Sequence, residues 1–519
     1  MLRAHRGLLQ SRHKRKDEMT GIPRYRIGCC GAVIALFTID LVAATLTRGP
    51  YLQSGTTTSV VVRWRTDEPV ESHVRFGNLP SDLNRAIFDT SRTTNHEILV
   101  AGLLPNAQYY YSIATETETL AGGAEYFFVT SPETGKPTRI WVLGDAGTRN
   151  SSQRAVRDAY YASSTNRHTD LWLMLGDNAY GVGTDDQYQG AVFNMYSEML
   201  RKSVLWPTLG NHDTYSTGVV EQFPYLEIFT LPTAGEAGGV PSATEKHYSF
   251  NYGNIHFVVL DSMSSDRSTN GPMCSWLAED LAANTNEWTI AFWHHPPYTK
   301  GSHDSDDEHE LIQMRQVVVP ILEAHGVDLV LCGHSHSYER SYLLQGHYGR
   351  SSTLVPEMIR DRGSGRETET GPYRVDRSEG DGTVYVVAGS SGQISGGDLN
   401  HPAMYVSLNK LGSLVLDIDG GRLDAAFLQS NGNFGDRFTM LKPGTPQAIR
   451  ITSFIVNSQI MDIAWSANTG QTYHVERARS LAAPEWERVS PPIIAVGDTA
   501  IWTYPIDPNP PCYYRVTAF

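Results

Sequence analysis

The sequence predicts a multidomain chain: an N-terminal β-sandwich, a central α/β layered domain built as a β-sandwich, and a small C-terminal β-sandwich. Three observations carry this. Short β-branched and aromatic runs separated by turn residues fill both ends of the chain. Between them, apolar runs alternate with longer polar-amphipathic stretches, the pattern of strands and covering helices. Several of these inner runs stop abruptly in glycine followed by Asp, Asn or His, as parallel strands do where open sheets hold ligands. At 519 residues the chain is too long for one compact domain.

Residues 1–44 read as a targeting segment. Arg3, Arg6, Arg12, Lys14, Arg15, Lys16, Arg24 and Arg26 make the start basic. An apolar run from Cys29 to Ile39 follows, then Val42-Ala43-Ala44, a small-residue cleavage pattern. Met19 is an alternative start that would give a more ordinary leader. The run is too short to span a bilayer, and no later stretch looks transmembrane. The expected location is therefore secreted or periplasmic. Net charge is −14 and the sequence pI near 5.7, which argues against a nucleic-acid binder held by phosphate contacts. Beyond the leader, Cys274, Cys332 and Cys512 do not form a disulfide framework, and Cys332 reads as a small buried hydrophobe.

In residues 45–132, Val60–Arg65, His73–Phe76 and Glu97–Val100 are strand-like runs. Leu104-Pro105-Asn106-Ala107-Gln108-Tyr109-Tyr110-Tyr111 has the form of a tyrosine corner. This region resembles a fibronectin-type-III-like sandwich. A linker, Ser131–Pro137, leads into residues 138–442. There, helical stretches such as Ser152–Ala162 and Glu310–His325 separate the apolar runs. The polar, glycine-rich segment Gly349–Asp381 reads as an excursion over the surface, and Thr383–Ala388 returns to the sheet. Ser413–Ile418 and Asp424–Leu428 form a hairpin through Asp419-Gly420-Gly421. In residues 445–519, Ile460–Trp465, Thr472–Glu476 and Tyr513–Val516 are strands, with Trp465, Trp486 and Tyr514 as core bulk. Contact of this unit with a surface or polymer is an expectation from architecture alone.

Five strand-like runs end in polar clusters: Gly144-Asp145-Ala146-Gly147, Gly176-Asp177-Asn178-Ala179-Tyr180, Gly210-Asn211-His212-Asp213, His294-His295-Pro296-Pro297-Tyr298 and Gly333-His334-Ser335-His336. The glycines let the backbone turn sharply off the strand. Asp, Asn, His and Tyr supply O and N donors, which suit Fe(III), Fe(II), Zn(II) or Mn(II) and not Cu(I). Singly, each has a bland explanation, such as a helix cap or an αL turn. Coincidence is a poor account of five together, and a pair of neighbouring cations would need one bridging carboxylate and about three further ligands each.

The set resembles the purple acid phosphatases, within the calcineurin-like metallophosphoesterases, whose blocks GDxG, GDxxY, GNH(D/E), xxxH and GHxH all stand here in order. The resemblance covers about 45–442. It implies a phosphate-monoester hydrolase acting by direct attack of a metal-bound hydroxide, with a small phosphate ester as substrate. Asp145, Tyr180 and His336 would hold Fe(III), Asp177 would bridge, and Asn211, His294 and His334 would hold a divalent Fe, Zn or Mn. Tyr180 favours this subfamily over the Zn- or Mn-only phosphoesterases. His212 would face the phosphate, and His303 would contact phosphate or protonate the leaving group. His295 is the alternative to His294 as ligand. A phosphodiesterase using the same metals, and a secreted binding protein with a vestigial hydrolase domain, are the competing readings. Asp261 reads as a turn residue, the run Asp304–Glu308 as a solvated loop, and Tyr338-Glu339-Arg340 as packing and pairing beneath the site.

Overall fold

The computed structural model describes residues 44–518 apart from 165–166, 217–222, 377–379, 381, 446–448, 450, 457–459, 468–469, 483, 498 and 506–512. The expected leader and Cys512 lie outside the described residues. Among the described residues no helix is long and apolar enough to cross a membrane.

The first six strands are β1 (Leu46–Gln53), β2 (Ser59–Gly77), β3 (Arg85–Ala101), β4 (Gln108–Ala114), β5 (Thr119–Ala121) and β6 (Phe127–Val129). The sequence suggests two sheets here, but the six strands form one hydrogen-bonded sheet. The reason is the length of β2 and β3. The first half of β2 pairs with β1 and the second with β4, while β3 runs along both across a register shift after Arg65. Trp64, Phe76, Tyr109, Tyr111 and Phe128 fill its core. The tyrosine corner is present: the Tyr109 hydroxyl accepts the Leu104 N–H at 3.0 Å.

The central region stacks two sheets. One has seven strands: β7 (Thr138–Leu143), β8 (Leu171–Met174) and β9 (Val204–Pro207) run parallel, β19 (Gly412–Asp419), β20 (Arg422–Gln429) and β21 (Phe434–Leu441) extend it antiparallel, and the short β16 (Tyr373–Arg374) closes the edge beside β21. The other has eight: β10 (Tyr248–Tyr252), β11 (Ile255–Val259), β12 (Trp288–Trp293), β13 (Leu329–Cys332), β17 (Thr383–Ala388), β14 (Tyr338–Leu344), β15 (Ile359–Asp361) and β18 (Met404–Leu408). In this sheet β11, β12, β13 and β17 are parallel.

Strand alternation explains why these runs read as uniformly apolar. Phe257, Ile290, Phe292, Leu329, Leu331, Val384 and Val386 face the other sheet. Their neighbours Val258, Ala291, Trp293, Val330, Cys332 and Val387 pack with Trp276 and Leu277 of helix Pro272–Ala283 and with Val318 and Leu322 of the helical run His309–Ala324. Both faces of the strands are therefore covered, and polar alternation is lost.

Gly349–Asp381 is not the free excursion its composition suggests. Strand β15 pairs with β14, and β16 (Tyr373–Arg374) pairs with β21, so the segment touches both sheets. Tyr373 is buried and accepts from Arg340 Nη1 at 3.0 Å. Just behind the His334–His336 loop, Arg340 on β14 meets Asp436 on β21, Nε to Oδ2 at 2.6 Å, with both side chains fully buried. Tyr338 donates to the same carboxylate at 2.9 Å. This pair bridges the two sheets.

The last strands form a three-stranded sheet and a four-stranded one around Ile463, Trp465, Tyr473, Val475 and Trp502. Trp486 is not part of this core; it lies under the Arg515 guanidinium at 4.3 Å, and Trp502 supplies the bulk instead.

Replacing Asp436 by alanine leaves Arg340 charged and unpaired between the sheets. The expected cost is about 3–5 kcal/mol of unfolding free energy, read from the denaturant midpoint. A change below 1 kcal/mol would show that the sheets do not depend on this pair.

Candidate metal centre

Five parallel strands, β7, β8 and β9 of one sheet and β12 and β13 of the other, open their carboxyl-end loops into one space. The local backbone is unusual there. Asp145, Asp177 and His334 have φ of 56°, 51° and 66°, left-handed values uncommon outside glycine. Each follows a glycine. A Cβ on Gly333 would run into the Asp145 carboxylate, so glycine is needed for the two sheets to approach.

The predicted side chains meet in two groups. In the first, the Tyr180 hydroxyl is 3.1 Å from Asp145 Oδ1 and 2.9 Å from His336 Nε2. In the second, His294 Nε2 and His334 Nδ1 lie 3.0 and 3.2 Å from Asn211 Oδ1 and 3.2 Å from each other. Asp177 stands beside both, with Oδ1 3.4 Å from His294 Nε2 and accepting the His212 N–H at 2.9 Å. One carboxylate oxygen each of Asp145 and Asp177 and one His294 nitrogen fall within 4.8 Å of one another.

The hydrogen bonds outside this space fix which nitrogen of each imidazole is bare. His294 Nδ1 donates to Leu175 O at 2.9 Å, and His334 Nε2 donates to Glu308 Oε2 at 3.1 Å. Their other nitrogens, Nε2 and Nδ1, then carry lone pairs and point at Asn211 Oδ1, itself an acceptor. Three acceptors facing one another within 3.2 Å do not satisfy each other. A cation among them does. Holding the outer ring nitrogen on a carbonyl or carboxylate is also how metal-binding imidazoles are oriented.

The electrostatics agree. Burial pushes the Asp145 and Asp177 carboxyls above their usual range, Asp145 further through the neighbouring Asp177 charge. Burial lowers the imidazoles, His294 to about 3 and His334 and His336 to about 4. Burial and then the charges of Asp145 and Asp177 raise Tyr180. Buried carboxylates and neutral imidazoles are suited to hold metal ions, whose positive charge offsets the burial. The donor set thus fits two cations, with Asp145, Tyr180 and His336 at one position and Asn211, His294 and His334 at the other.

His212 Nδ1 donates to Gly181 O at 2.9 Å, and its ring lies 4.6 Å from that of Tyr180. His303 Nδ1 bonds Glu308 Oε1 at 2.8 Å, and its ring covers that of His334 at 3.8 Å. His295 also lies in the cluster, but its Nδ1 is engaged with Ser262 Oγ at 2.9 Å. Asp261 is a turn residue, accepting from Met263 N and Ser264 N, both at 2.9 Å.

Other residues here escape sequence reading. The run Asp304–Glu308 is not simply a solvated loop: Ser305 and Asp306 are buried, and Glu308 joins His303 to His334. Burial opposes ionisation of Glu308, but the hydrogen bonds from His303 and His334 outweigh it and hold its carboxyl below the usual range. Asp213 accepts from Gly210 N, Asn178 N and Tyr188 Oη, tying the second loop to the third. A sixth loop, after β17, brings Ser395 Oγ to 2.8 Å from His336 Nδ1 and Gln393 Nε2 to 3.3 Å from His336 Nε2. Its signal was available: β17 also ends in glycine, at Gly389.

Residues 138–338 match the calcineurin-like phosphoesterase family, and residues 48–130 match the purple acid phosphatase N-terminal domain. Purple acid phosphatase 15 of Arabidopsis thaliana is 28% identical over 322 residues, 53% of this chain and 58% of its own. The chain therefore spans little more than half the length of that relative. An uncharacterized protein of Mycobacterium tuberculosis is 25% identical over 483 residues, 76% of this chain and 87% of its own. The structure of a purple acid phosphatase from yellow lupin seeds shares the fold, with a TM-score of 0.59 at 17% identity, covering 76% of this chain and 75% of that one.

Metal binding to the folded chain should stabilise it by about 2.7 kcal/mol at a hundredfold excess of ion over Kd, read as a thermal shift. His334→Ala removes a donor and should lower both the shift and the bound metal counted by elemental analysis. Full metal content in that variant would take His334 out of the centre.

Proposed function

The chain belongs to the purple acid phosphatase family of calcineurin-like metallophosphoesterases, and we propose that it is a dinuclear-metal phosphatase that hydrolyses phosphate monoesters. The observation that carries this is the meeting of bare acceptor atoms from His294, His334 and Asn211 beside the Asp145–Tyr180–His336 group, with Asp177 next to both. In this reading Asp145, Tyr180 and His336 would hold a ferric ion, Asn211, His294 and His334 would hold a divalent Fe, Zn or Mn, and Asp177, beside both groups, would be shared between them. When bound, the two ions supply Lewis acidity and lower the pKa of water to give the nucleophile.

The chain's own groups do the rest. The Nδ1–H of His212 is anchored on Gly181 O, so its Nε2 is left to meet a phosphate oxygen when protonated. His303 is oriented by Glu308, which accepts from its Nδ1 at 2.8 Å and leaves Nε2 free of that bond. Its Nε2–H then supplies the proton to the departing oxygen. Asp213, through Gly210 N and Asn178 N, holds the second and third loops in register, and Ser395 orients His336. No side-chain nucleophile is called for; attack comes from water, with inversion at phosphorus.

The N-terminal sheet supports the site at one remove. Arg48 and Arg65 both reach Asp185, at 3.0 and 2.5 Å, at the start of the short helix Asp185–Tyr188 that follows the Tyr180 loop. We read residues 1–44 as an export signal, 45–132 and 138–442 as the two working domains, and 445–519 as an accessory domain for contact with a surface or polymer.

Parallel assays of the metal-loaded protein on a monoester and a diester test this. Higher kcat/KM on the monoester is expected; the reverse favours a phosphodiesterase, and no turnover on either with both ions present removes the hydrolytic reading. Tyr180→Phe should abolish the visible absorption band of the iron-loaded protein, and an unchanged spectrum would show that Tyr180 does not hold the iron.

A further inference from the structure

The rim of the site is chemically lopsided. On one side a run of rings leads outward: Tyr180 to His212 at 4.6 Å, then His212 to Tyr215 at 5.6 Å. Tyr215 follows the turn His212–Thr214 and is 48% exposed, so a face of its ring is open to a ligand at the rim. Its hydroxyl takes a hydrogen bond from Asn211 Nδ2 at 3.2 Å, which fixes the ring beside the centre. Val182, two residues after Tyr180, and Ile394, between Gln393 and Ser395, are exposed as well.

The same loops offer no spare lysine or arginine. Segments 144–150, 176–187, 210–216, 294–308, 333–337 and 389–400 contain Arg149 and Lys300 as their cations. Arg149 is paired with Asp186, and Lys300 with Asp304 and Asp306. A second phosphate on the substrate would have no guanidinium or ammonium to meet it, although recognition of such groups rests on charge-assisted hydrogen bonds. A neutral leaving group with a flat apolar face has a partner waiting.

Resting on the phosphatase reading, we propose that Tyr215 is a specificity-determining residue that stacks on the leaving group, and that the site takes monophosphate esters of uncharged aromatic alcohols in preference to polyphosphates. With the phosphate at the centre, an aromatic group carried on the ester oxygen extends across the rim, where the half-exposed Tyr215 ring offers it a flat face. The ring provides this; the hydroxyl serves only to hold the ring.

The test compares phenylphosphonate and methylphosphonate, which bind without turning over, by calorimetric titration of the metal-loaded full chain. In Tyr215→Ala the ratio of phenyl- to methylphosphonate affinity should fall about 3- to 10-fold. Tyr215→Phe, which keeps the ring and loses the bond from Asn211, should hold the wild-type ratio. The kcat/KM ratio of phenyl phosphate to glycerol phosphate should move in the same direction across the three proteins. An unchanged ratio in Tyr215→Ala, or a Phe variant that behaves like the Ala variant, overturns the proposal and leaves the phosphatase reading standing. Failure of both phosphonates to bind the metal-loaded wild type overturns the phosphatase reading, and the proposal with it.

Discussion

The hydrogen bond from the His334 backbone to the Asp145 carboxylate, 2.8 Å long, is the contact on which the rest of the site depends. It joins the loop after β7 in one sheet to the loop after β13 in the other. Both strands point the same way, so their carboxyl ends reach the same edge of the two layers. Gly333 has no side chain to keep them apart, and the left-handed backbone at Asp145 and His334 turns each side chain into the gap. Without this junction the two sheets would each carry half a set of donors with nothing opposite.

What assembles there is costly to the apo protein. Two buried carboxylates and several imidazoles share one pocket, and burial works against charge on all of them. Left-handed φ at three non-glycine residues adds backbone strain of the kind that collects at functional sites. The surrounding structure offsets this. The covered strands and the Arg340–Asp436 pair hold the sheets together, and each inner imidazole is anchored from behind by Leu175 O, Glu308 or Ser395 Oγ. Frustration within the pocket is what suits it to cations.

The N-terminal sheet belongs to the same economy of support. Its aromatic core runs on into that of the central sheets, and Tyr51 and Arg63 both bond Ile228 O at 2.7 Å. Through Arg48, Arg65 and Asp185 it braces the start of the segment just after Tyr180 and Val182. The domain nearest the chain start thereby stiffens one wall of the rim on which Tyr215 lies.

Sequence alone determined the strands that matter and the order of their ligand-type termini, because period, apolar runs and Gly-Asp, Gly-Asn and Gly-His junctions are local properties of the chain. That Asp145, Asp177, Tyr180, Asn211, His294, His334 and His336 stand in loops at the ends of these strands was legible for that reason, as were the tyrosine corner and the hairpin of β19 and β20. Tertiary structure decided what depends on distant residues meeting. Glu308 looked like one member of an acidic loop, and only the packing of that loop over His334 made it the link to His303. Gln393 and Ser395 follow an ordinary Gly-Ser stretch and gain meaning only because β17 lies beside β13. Gly349–Asp381 has the composition of a surface excursion, yet strand pairing at its two short strands binds it to both sheets. Composition records what a segment could do if left alone; hydrogen bonds and burial across the fold record what its neighbours make of it.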